Sequence, residues 1–468
     1  MNREDLLRAL PSVDAAVKHL EQRGAASGCP RRMLVRAVRA AIERLRVDVM
    51  SGALDAEPPG AVRNAAIAAV ETAAARAGSA EMVSVINATG VIIHTNLGRA
   101  PLPRAALEAI SRTAAGYCDL EYDLGRGDRG SRDEAVKEAL CELTGAEDAL
   151  VVNNNAAAVM LALDTLARGR EVVVSRSELI EIGGAFRLHE VFEKSGATLV
   201  EVGTTNRTRI EDFERAVRAQ TAALMSAHWS NYAIVGFVDR VPLEELAALG
   251  ARRGIPVIHD LGSGLLAPGD AVGLHGEASV AESLGGGVSL CTMSGDKLIG
   301  GPQAGIAVGS SALVRRMRAN PLARALRPCK LTLAALQATL NLYLAERERD
   351  EIPVLRMLTA SVDELEERAR SIVRIAGPRC ASALRIVDLE SRVGGGAAPE
   401  RVVASKGIEI ATLANRAEAV ATRMLHSDRP VVVRLHEGRV LVDLRTVLPS
   451  QDEALAACIA EAVNGNGA

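Results

Sequence analysis

Lys297 is the residue of this sequence that is best placed for covalent chemistry. It lies in the segment Cys291-Thr-Met-Ser-Gly-Asp-Lys-Leu-Ile-Gly-Gly-Pro-Gln-Ala-Gly305. The segment begins as a short apolar strand, and its end, from Gly300 to Gly305, has too many glycines for a helix. A lysine held in such a turn is suited to forming a Schiff base, whereas an ordinary loop lysine is simply solvated.

Asp260 lies 37 residues upstream (297 − 260) and offers this lysine a partner. The segment Val257-Ile-His-Asp-Leu-Gly-Ser-Gly264 places the acid at the carboxyl end of an apolar strand, where open α/β sheets bind ligands. Pyridoxal 5′-phosphate requires a lysine for a Schiff base and an acid for its ring nitrogen. The sequence therefore predicts a pyridoxal phosphate enzyme that uses Lys297 and Asp260.

The segment Asn153-Asn-Asn-Ala-Ala-Ala158 follows a strand and opens a helix, so its backbone N–H groups form an anion site. We predict that this helix start binds the cofactor phosphate, together with the Ser294 hydroxyl. His228 ends another strand, where it would contact the cofactor ring or be a packed histidine. The cofactor-binding residues predicted in this way are Asn154, Asn155, Ala156, Ser294 and His228. A nucleotide-binding domain is the alternative, but neither a Walker-type motif nor a strand-led G-x-G-x-x-G occurs.

Short apolar strands that alternate with helices would position these residues. The predicted strands are Ala149–Val152, Glu171–Ser175, Thr198–Val202, Ala222–Ala227, Val257–Asp260 and Val288–Thr292. Such alternation is typical of a parallel sheet that is covered by helices on both faces. We predict three regions: residues 1–80 form a helical N-terminal domain and linker, 81–327 a large cofactor-binding domain, and 328–468 a small α/β domain. The glycine run at 394–396 is predicted to be a hinge or loop.

Composition narrows the class of protein further. The chain has 468 residues, of which 48% are hydrophobic and 24% charged, which is typical of a globular protein. Its net charge of −3 and 2% aromatic content argue against nucleic-acid binding through bulk charge or base stacking. Its seven cysteines show no C-x-x-C spacing, so no metal site is predicted. With no secretory signal and no membrane-spanning run, we expect a cytoplasmic protein that binds neither membrane nor DNA.

The predicted helix from Arg31 to Val49 is locally basic, because six arginines stand against Glu43 before Asp48. One interpretation is a solvated helix face. The other is a surface for an RNA backbone, since phosphate contacts need arginines arrayed on one face. The arginines that begin this stretch are Arg31, Arg32, Arg36 and Arg39.

These motifs together resemble the bacterial selenocysteine synthases, the L-seryl-tRNA(Sec) selenium transferases. The resemblance extends from the N-terminal helices to Leu448-Pro449, nearly the whole chain. The segments that carry it are Asn87–Leu102, Asn153–Ala158, Glu181–Gly184, Val202–Arg207, His259–Gly264 and Ser294–Gly305. It implies an enzyme of the aspartate-aminotransferase-like fold type I that uses pyridoxal phosphate. It also implies active sites at dimer interfaces of a ring-shaped homodecamer.

The resemblance also assigns roles to particular residues. Lys297 matches the family's Schiff-base lysine, and Asp296 beside it lies in the family's active site. The residues that match arginines binding the anionic group of the selenium donor are Arg99, Arg324 and Arg327. After Arg327 this chain reads Pro328-Cys-Lys330 where the family usually has Val-Asp-Lys. The basic N-terminal helix would then contact tRNA.

The implied reaction converts L-seryl-tRNA(Sec) to L-selenocysteinyl-tRNA(Sec) with selenophosphate, through an aldimine of the cofactor and an aminoacrylyl-tRNA intermediate. The main alternative is a paralogous pyridoxal lyase or transferase that acts on a free small amino acid or sugar acid. Residues 1–80 discriminate between these two hypotheses, because such a lyase has no evident use for a basic helical domain.

A third hypothesis is a non-catalytic tRNA-binding protein. The arginines that would reach a substrate phosphate across the dimer, or only form surface pairs, are Arg126, Arg129 and Arg132.

Overall fold

The computed structural model describes residues 3–24, 29–51, 58–78, 82–182, 186–398, 401–411 and 416–464. Gly183 and Gly184, which belong to one of the motifs above, lie outside the described residues, as do parts of the predicted 1–80 domain. The chain forms two compact units, Met1–Ser84 and Val85–Ala468. The second unit is not divided further, so the predicted boundary at 327/328 stays a prediction.

The first unit is helical. Its helices are α1 (Arg3–Ala9), α2 (Val13–Gln22), α3 (Arg31–Ser51) and α4 (Pro59–Gly78). Helix α2 begins at a cap in which the Ser12 side chain accepts a hydrogen bond from the backbone N–H of Ala15. Helix α3 buries Leu34 and Val38 in the same cluster as Leu20 of α2. This apolar stripe leaves the opposite side of α3 to polar residues.

The second unit contains all the described strands. They are β1 (Ile86–Ala88), β2 (Tyr122–Asp123), β3 (Asp128–Arg129), β4 (Asp148–Val152), β5 (Glu171–Ser175), β6 (Glu181–Ile182), β7 (Phe186–Arg187), β8 (Thr198–Val202), β9 (Thr221–Ala227), β10 (Val257–Gly262), β11 (Leu290–Ser294), β12 (Gly305–Gly309), β13 (Leu384–Arg392), β14 (Val402–Ile410), β15 (Val431–His436) and β16 (Arg439–Asp443). Its α-helices are α5 (Arg104–Ala114), α6 (Glu134–Thr144), α7 (Asn155–Ala167), α8 (Leu188–Ser195), α9 (Ile210–Ala216), α10 (Leu243–Arg253), α11 (Val280–Gly285), α12 (Ser311–Ala319), α13 (Pro321–Ala325), α14 (Lys330–Leu344), α15 (Glu348–Glu351), α16 (Pro353–Thr359), α17 (Val362–Ala376), α18 (Pro378–Ala381), α19 (Ala417–Leu425) and α20 (Asp452–Asn464).

A seven-stranded sheet with the order β4-β12-β11-β10-β9-β5-β8 forms the centre of this unit. Its strand pairs are parallel except that β12 runs antiparallel to both β4 and β11. This strand departs from the predicted parallel arrangement because residues 295–304 return the chain directly, without the helical crossover that a parallel pair needs. That short connection between two central strands is the segment that carries Lys297.

Helices cover both faces of the sheet. On one face, Leu140 of α6 and Leu336 of α14 share a buried cluster with Met293 and Ile306 of the strands. On the other, α7 and α8 pack with strands β5 and β9. Helix α14, which lies within the predicted 328–468 region, therefore packs in the core of the large sheet. Because both faces are covered, the central strands β10, β11 and β12 are buried along their whole length.

A second sheet of five strands, ordered β1-β15-β16-β14-β13, lies toward the end of the chain. Helices α17, α19 and α20 pack on one face of it. Strand β1 runs parallel to β15, so the segment before the large sheet joins the C-terminal strands. No helix among the described residues combines the length and apolarity that a membrane crossing needs.

Candidate active site

The side chain of Lys297 is buried between two glycine backbones. A methyl group added at Gly396 would lie 2.6 Å from Nζ, and one added at Gly262 would lie 3.9 Å away. Burial lowers the pKa of Lys297 to about 8, against the opposing effect of the Asp260 carboxylate. The amine is therefore partly neutral near physiological pH, which a nucleophile or a general base requires.

Asp260 lies in the buried strand β10, and its charge acts on this lysine. Its Oδ1 accepts hydrogen bonds from Asn155 Nδ2 at 2.7 Å and from Thr292 Oγ1 at 3.0 Å. Burial raises the pKa of Asp260, and these two donors and Lys297 oppose the rise. Within the described chain both donors go to Oδ1, which leaves Oδ2 without a donor. A protonated ring nitrogen is the kind of donor from which this oxygen would accept a hydrogen bond.

Asp296 connects two of the other predicted residues. Its Oδ1 accepts a 2.6 Å hydrogen bond from Ser294 Oγ, and its Oδ2 accepts a 2.7 Å hydrogen bond from Arg99 Nη1. Arg99 has a φ of 63°, a left-handed conformation that is uncommon for a residue other than glycine. The Ser294 hydroxyl, predicted to bind the cofactor phosphate, thus donates to Asp296 in this structure.

Three of the residues predicted to hold the cofactor phosphate, Asn154, Asn155 and Ala156, lie at the start of α7. Asn154 caps the helix, because its Oδ1 accepts a 2.9 Å hydrogen bond from the Ala157 N–H. The Asn155 side chain contacts Asp260 instead of pointing to an anion, as described above. The backbone N–H groups of Asn155 and Ala156 remain at the first turn, where a helix lacks internal acceptors. A methyl group added at Gly305 would lie 1.9 Å from the Asn154 carbonyl oxygen, so β12 approaches this turn closely.

His228 follows β9, and its backbone N–H donates to the Asp260 carbonyl at 2.9 Å. Its Nε2 lies 3.0 Å from the Glu277 carboxylate, and both side chains are largely buried. Its Nδ1 is buried and has no partner within the described residues. The histidine is thus held beside Asp260 with one ring nitrogen left for another group.

A buried acid fixes the chain just before His228. Glu178 accepts hydrogen bonds from Ser226 Oγ at 3.0 Å and from the Ala227 N–H at 3.1 Å. Arg240 lies 3.4 Å from the same carboxylate, and its guanidinium stacks 4.1 Å from the Trp229 ring centroid. Burial raises the pKa of Glu178, which Arg240 opposes. These contacts brace the segment that carries His228.

Arg324 and Arg327 lie at another cavity, of about 360 Å³. Three more arginines line it, namely Arg129, Arg132 and Arg318, whereas Arg99 is not among its lining residues in the described chain. Pro328, which departs from the family pattern, also lines it. The structure therefore groups Arg99 with Asp296 and groups the other two predicted arginines at a separate basic cavity. Arg126 instead pairs with Asp123 at 2.6 Å.

In the first unit, the arginines predicted to contact tRNA are all exposed on α3. Arg31 pairs with Glu21 at 3.5 Å. Arg32, Arg36 and Arg39 have no ion-pair partner among the described residues and follow an i, i+4, i+7 spacing, so they share one side of the helix.

The site fits pyridoxal phosphate in the groups that it leaves unsatisfied. Four buried side-chain atoms near Asp260 and Lys297 have no hydrogen-bond partner in the described chain. These atoms are Asn155 Oδ1, His228 Nδ1, Ser230 Oγ and Ser263 Oγ. Buried polar atoms are nearly always bonded in native proteins, so a polar ligand is expected among them. A glycine-lined lysine and a buried acid supply the two groups that this cofactor requires.

Sequence reasoning missed several residues of this site. Thr292 and Glu277 carried no signal, because their partners become neighbours only when the strands are paired. Gly396 did carry a signal in the sequence, since a run of glycines often marks a close approach of the backbone to another group. Its N–H donates to the Ser230 carbonyl, and its loop closes over Lys297.

Comparisons with known proteins agree with this geometry. The L-seryl-tRNA selenium transferase family model matches residues 85–448, and the model for the selenocysteine synthase N terminal matches residues 7–46. The L-seryl-tRNA(Sec) selenium transferase of Nitratidesulfovibrio vulgaris is 48% identical over 454 residues, 96% of each chain. The corresponding protein of Solidesulfovibrio magneticus is 47% identical over 464 residues, 98% of each chain.

The solved structure of a D-glucosaminate-6-phosphate ammonia-lyase is similar to this chain, with a TM-score of 0.59 and 19% identity. The similarity covers 82% of this chain and 96% of that one, and it shows the fold alone. The predicted fold class is confirmed. Because the family model and both relatives extend over most of the sequence, this chain belongs to the L-seryl-tRNA selenium transferase family.

Proposed function

We propose that this protein converts L-seryl-tRNA(Sec) to L-selenocysteinyl-tRNA(Sec), with selenophosphate as the selenium donor. The observation that carries the proposal is the buried Lys297 amine beside Asp260, in a chain of this family. The alternative, a lyase or transferase for a free small amino acid or sugar acid, gives no role to the N-terminal helices. The match of residues 7–46 to a selenocysteine synthase model favours the first function.

Pyridoxal 5′-phosphate is the proposed cofactor. Lys297 would hold its aldehyde carbon, Asp260 its ring nitrogen, and the first turn of α7 its phosphate. When bound, the cofactor supplies an electron sink for the negative charge that develops at the seryl Cα. Asn155 and Thr292 keep Asp260 in place and favour its ionised form, because hydrogen bonds to a carboxylate stabilise the charge.

Lys297 is proposed to remove the proton from the seryl Cα. A general base works best when its pKa is near the operating pH, and burial brings the pKa of Lys297 to about 8. Asp296 would act beside it by holding Arg99 near the amine through their 2.7 Å contact. Its negative charge also raises the pKa of Lys297, which limits the lowering that burial causes.

Arginine side chains are proposed to bind the selenium donor, because a planar guanidinium matches the oxygens of a phosphate group. The residues concerned are Arg99, Arg324 and Arg327. In one chain they belong to two separate places, as described above. A dimer-based homo-oligomer, with the decamer that the resemblance implies, would allow a neighbouring copy to complete a site. We further propose that α3 contacts the tRNA and that the protein is cytoplasmic.

Substituting the proposed Schiff-base lysine tests this function. The wild type with added cofactor is expected to show a visible absorption band and to form selenocysteinyl-tRNA from seryl-tRNA(Sec) and selenophosphate. Lys297→Ala should lose the band and lower turnover at least about 10³-fold, since a residue that forms the covalent bond cannot be replaced. Lys194→Ala, on the exposed side of α8, is the matched control. A colourless wild type after cofactor addition would rule the proposal out.

A further inference from the structure

Glu121 is the one acid that faces several arginines of the basic cavity in the described chain. Its carboxylate lies 3.4 Å from Arg132, 3.5 Å from Arg129 and 3.5 Å from Arg327. Asp133, the other acid that lines the cavity, pairs with Arg318 at 3.3 Å. One carboxylate therefore neutralises part of a cluster of three guanidinium groups.

The contacts of Glu121 are long for charged partners. Ion pairs of arginine with a carboxylate or phosphate usually close to about 2.7–2.9 Å. Here no contact is shorter than 3.4 Å, and the carboxylate is shared among three arginines instead of forming a fork with one. Its side chain is 34% exposed, so water and ions reach it. Such a carboxylate is held by charge and is open to exchange.

The Glu121 side chain can change its position without breaking the backbone hydrogen bonds of the hairpin that carries it. The Glu121 carbonyl accepts a 3.0 Å hydrogen bond from the Gly130 N–H, and β2 pairs with β3 in the next residues. The carboxylate itself makes its described contacts only with the three arginines. Its side chain could therefore swing away while the hairpin keeps its backbone hydrogen bonds.

We infer that Glu121 is the resident counter-ion of this cavity and that an oxyanion ligand binds there by displacing it. A phosphate-type dianion brings more charge and more oxygens than a carboxylate, so it can outcompete Glu121 where a weaker anion cannot. A ligand must therefore bind these arginines more strongly than the Glu121 carboxylate does, which favours phosphate-type ligands over weaker anions. The inference rests on the proposed function, in which Arg324 and Arg327 bind the anionic selenium donor.

Titration of the full-length holoenzyme with inorganic phosphate tests the inference, with heat as the readout. Glu121→Gln removes the competing charge and should lower the Kd for phosphate by about threefold or more, because the arginines no longer need to release a carboxylate. Glu121→Asp keeps the charge but shortens the side chain, so it should also lower the Kd for phosphate, by less than Glu121→Gln does. Glu108→Gln, which removes a carboxylate paired with Arg104 on α5, is the control and should change nothing.

Unchanged or weaker phosphate binding in both Glu121 variants would overturn the inference, because Glu121 would then be ordering the arginines instead of competing. Absence of phosphate binding in every form would overturn it as well. No tRNA and no selenium donor are present, so the outcome does not depend on turnover. The proposed function fails on a different result, namely a wild type that forms no selenocysteinyl-tRNA.

Discussion

At the scale of single residues, the chemistry depends on an amine that is neither fully charged nor freely exposed. Burial lowers the pKa of Lys297 to about 8, while Asp260 and Asp296 act in the other direction and Arg99 adds to the lowering. Asp260 itself is buried, and burial raises its pKa. The charges of Lys297 and Asp260 act on each other's pKa. A neighbour that changes the charge of one group therefore also changes the pKa of the other.

This balance predicts how cofactor capture depends on pH. Lys297 must be neutral to bond the cofactor aldehyde, and the neutral fraction grows as the pH rises through the pKa. The rate of reconstitution of the apoprotein should therefore rise with pH and level off above about 8. Asp296→Asn removes a charge that raises the pKa of Lys297, so its profile should shift to lower pH. Stopped-flow absorbance measures both rates.

Asp239→Asn, at an exposed acid paired with Arg209, is the control for this series and should keep the wild-type profile. A midpoint near 10.5, the ordinary value for lysine, would show that the amine is solvated and that the buried environment does not act on it. A shift of the Asp296→Asn profile to higher pH would contradict the sign of the effect.

At the scale of elements, three connections build the site around the lysine. The return from β11 to β12 carries Lys297, the start of α7 supplies the proposed phosphate-binding turn, and the loop after β13 places Gly396 against the amine. That loop comes from a strand of the other sheet. The cofactor site therefore depends on how the five-stranded sheet is placed against the seven-stranded one.

Gly396→Ala tests the contribution of that loop. The backbone φ of Gly396 is 86°, and its added methyl group would overlap Lys297 Cε at 2.8 Å as well as Nζ. We expect cofactor affinity to fall at least about tenfold, because the lysine must shift to relieve the overlap. Gly273→Ala has a similar φ of 76° but meets no atom within 4 Å. It therefore reports the backbone strain alone, about 1–2 kcal/mol.

Cofactor titration by absorbance compares the two variants, and thermal unfolding reports their stability. The prediction fails if both variants lose the same affinity, because strain and not overlap would then be responsible. It also fails if Gly396→Ala binds the cofactor as the wild type does. A loop that moves aside without cost would explain that second result.

The sequence was informative where a local pattern decides the structure. Strands β5 and β8 were predicted with their observed bounds, since each is rich in β-branched residues and follows a glycine-containing turn. Strand β14 was not predicted, because its apolar alternation is interrupted around Gly407. A methyl group there would lie 2.3 Å from the Val442 carbonyl of the neighbouring strand. The glycine is therefore required by a residue that is far away in the sequence. The role of the Asn155 side chain was missed for the same reason, as Asp260 is 105 residues away.

At the scale of the whole molecule, the two units carry different parts of the proposed activity. The second unit contains every residue assigned to the cofactor and to the selenium donor. The first has a helical core and an exposed arginine line on α3, in a protein whose net charge is only −3. A polyanionic substrate would then be recognised through a local basic surface, since the bulk charge does not attract it.

Replacing Arg32, Arg36 and Arg39 together by alanine should weaken binding of tRNA(Sec) and leave the visible cofactor band unchanged. Each arginine that contacts a phosphate releases a counter-ion, so the slope of log affinity against log salt should fall by about two to three. Arg44→Ala is the control, because Arg44 is exposed on the same helix but departs from the i, i+4, i+7 line. Fluorescence anisotropy over a salt series, with another serine tRNA for comparison, measures both quantities. Unchanged affinity and slope in the triple variant would remove the reason to assign tRNA binding to α3, and would favour a small-molecule substrate.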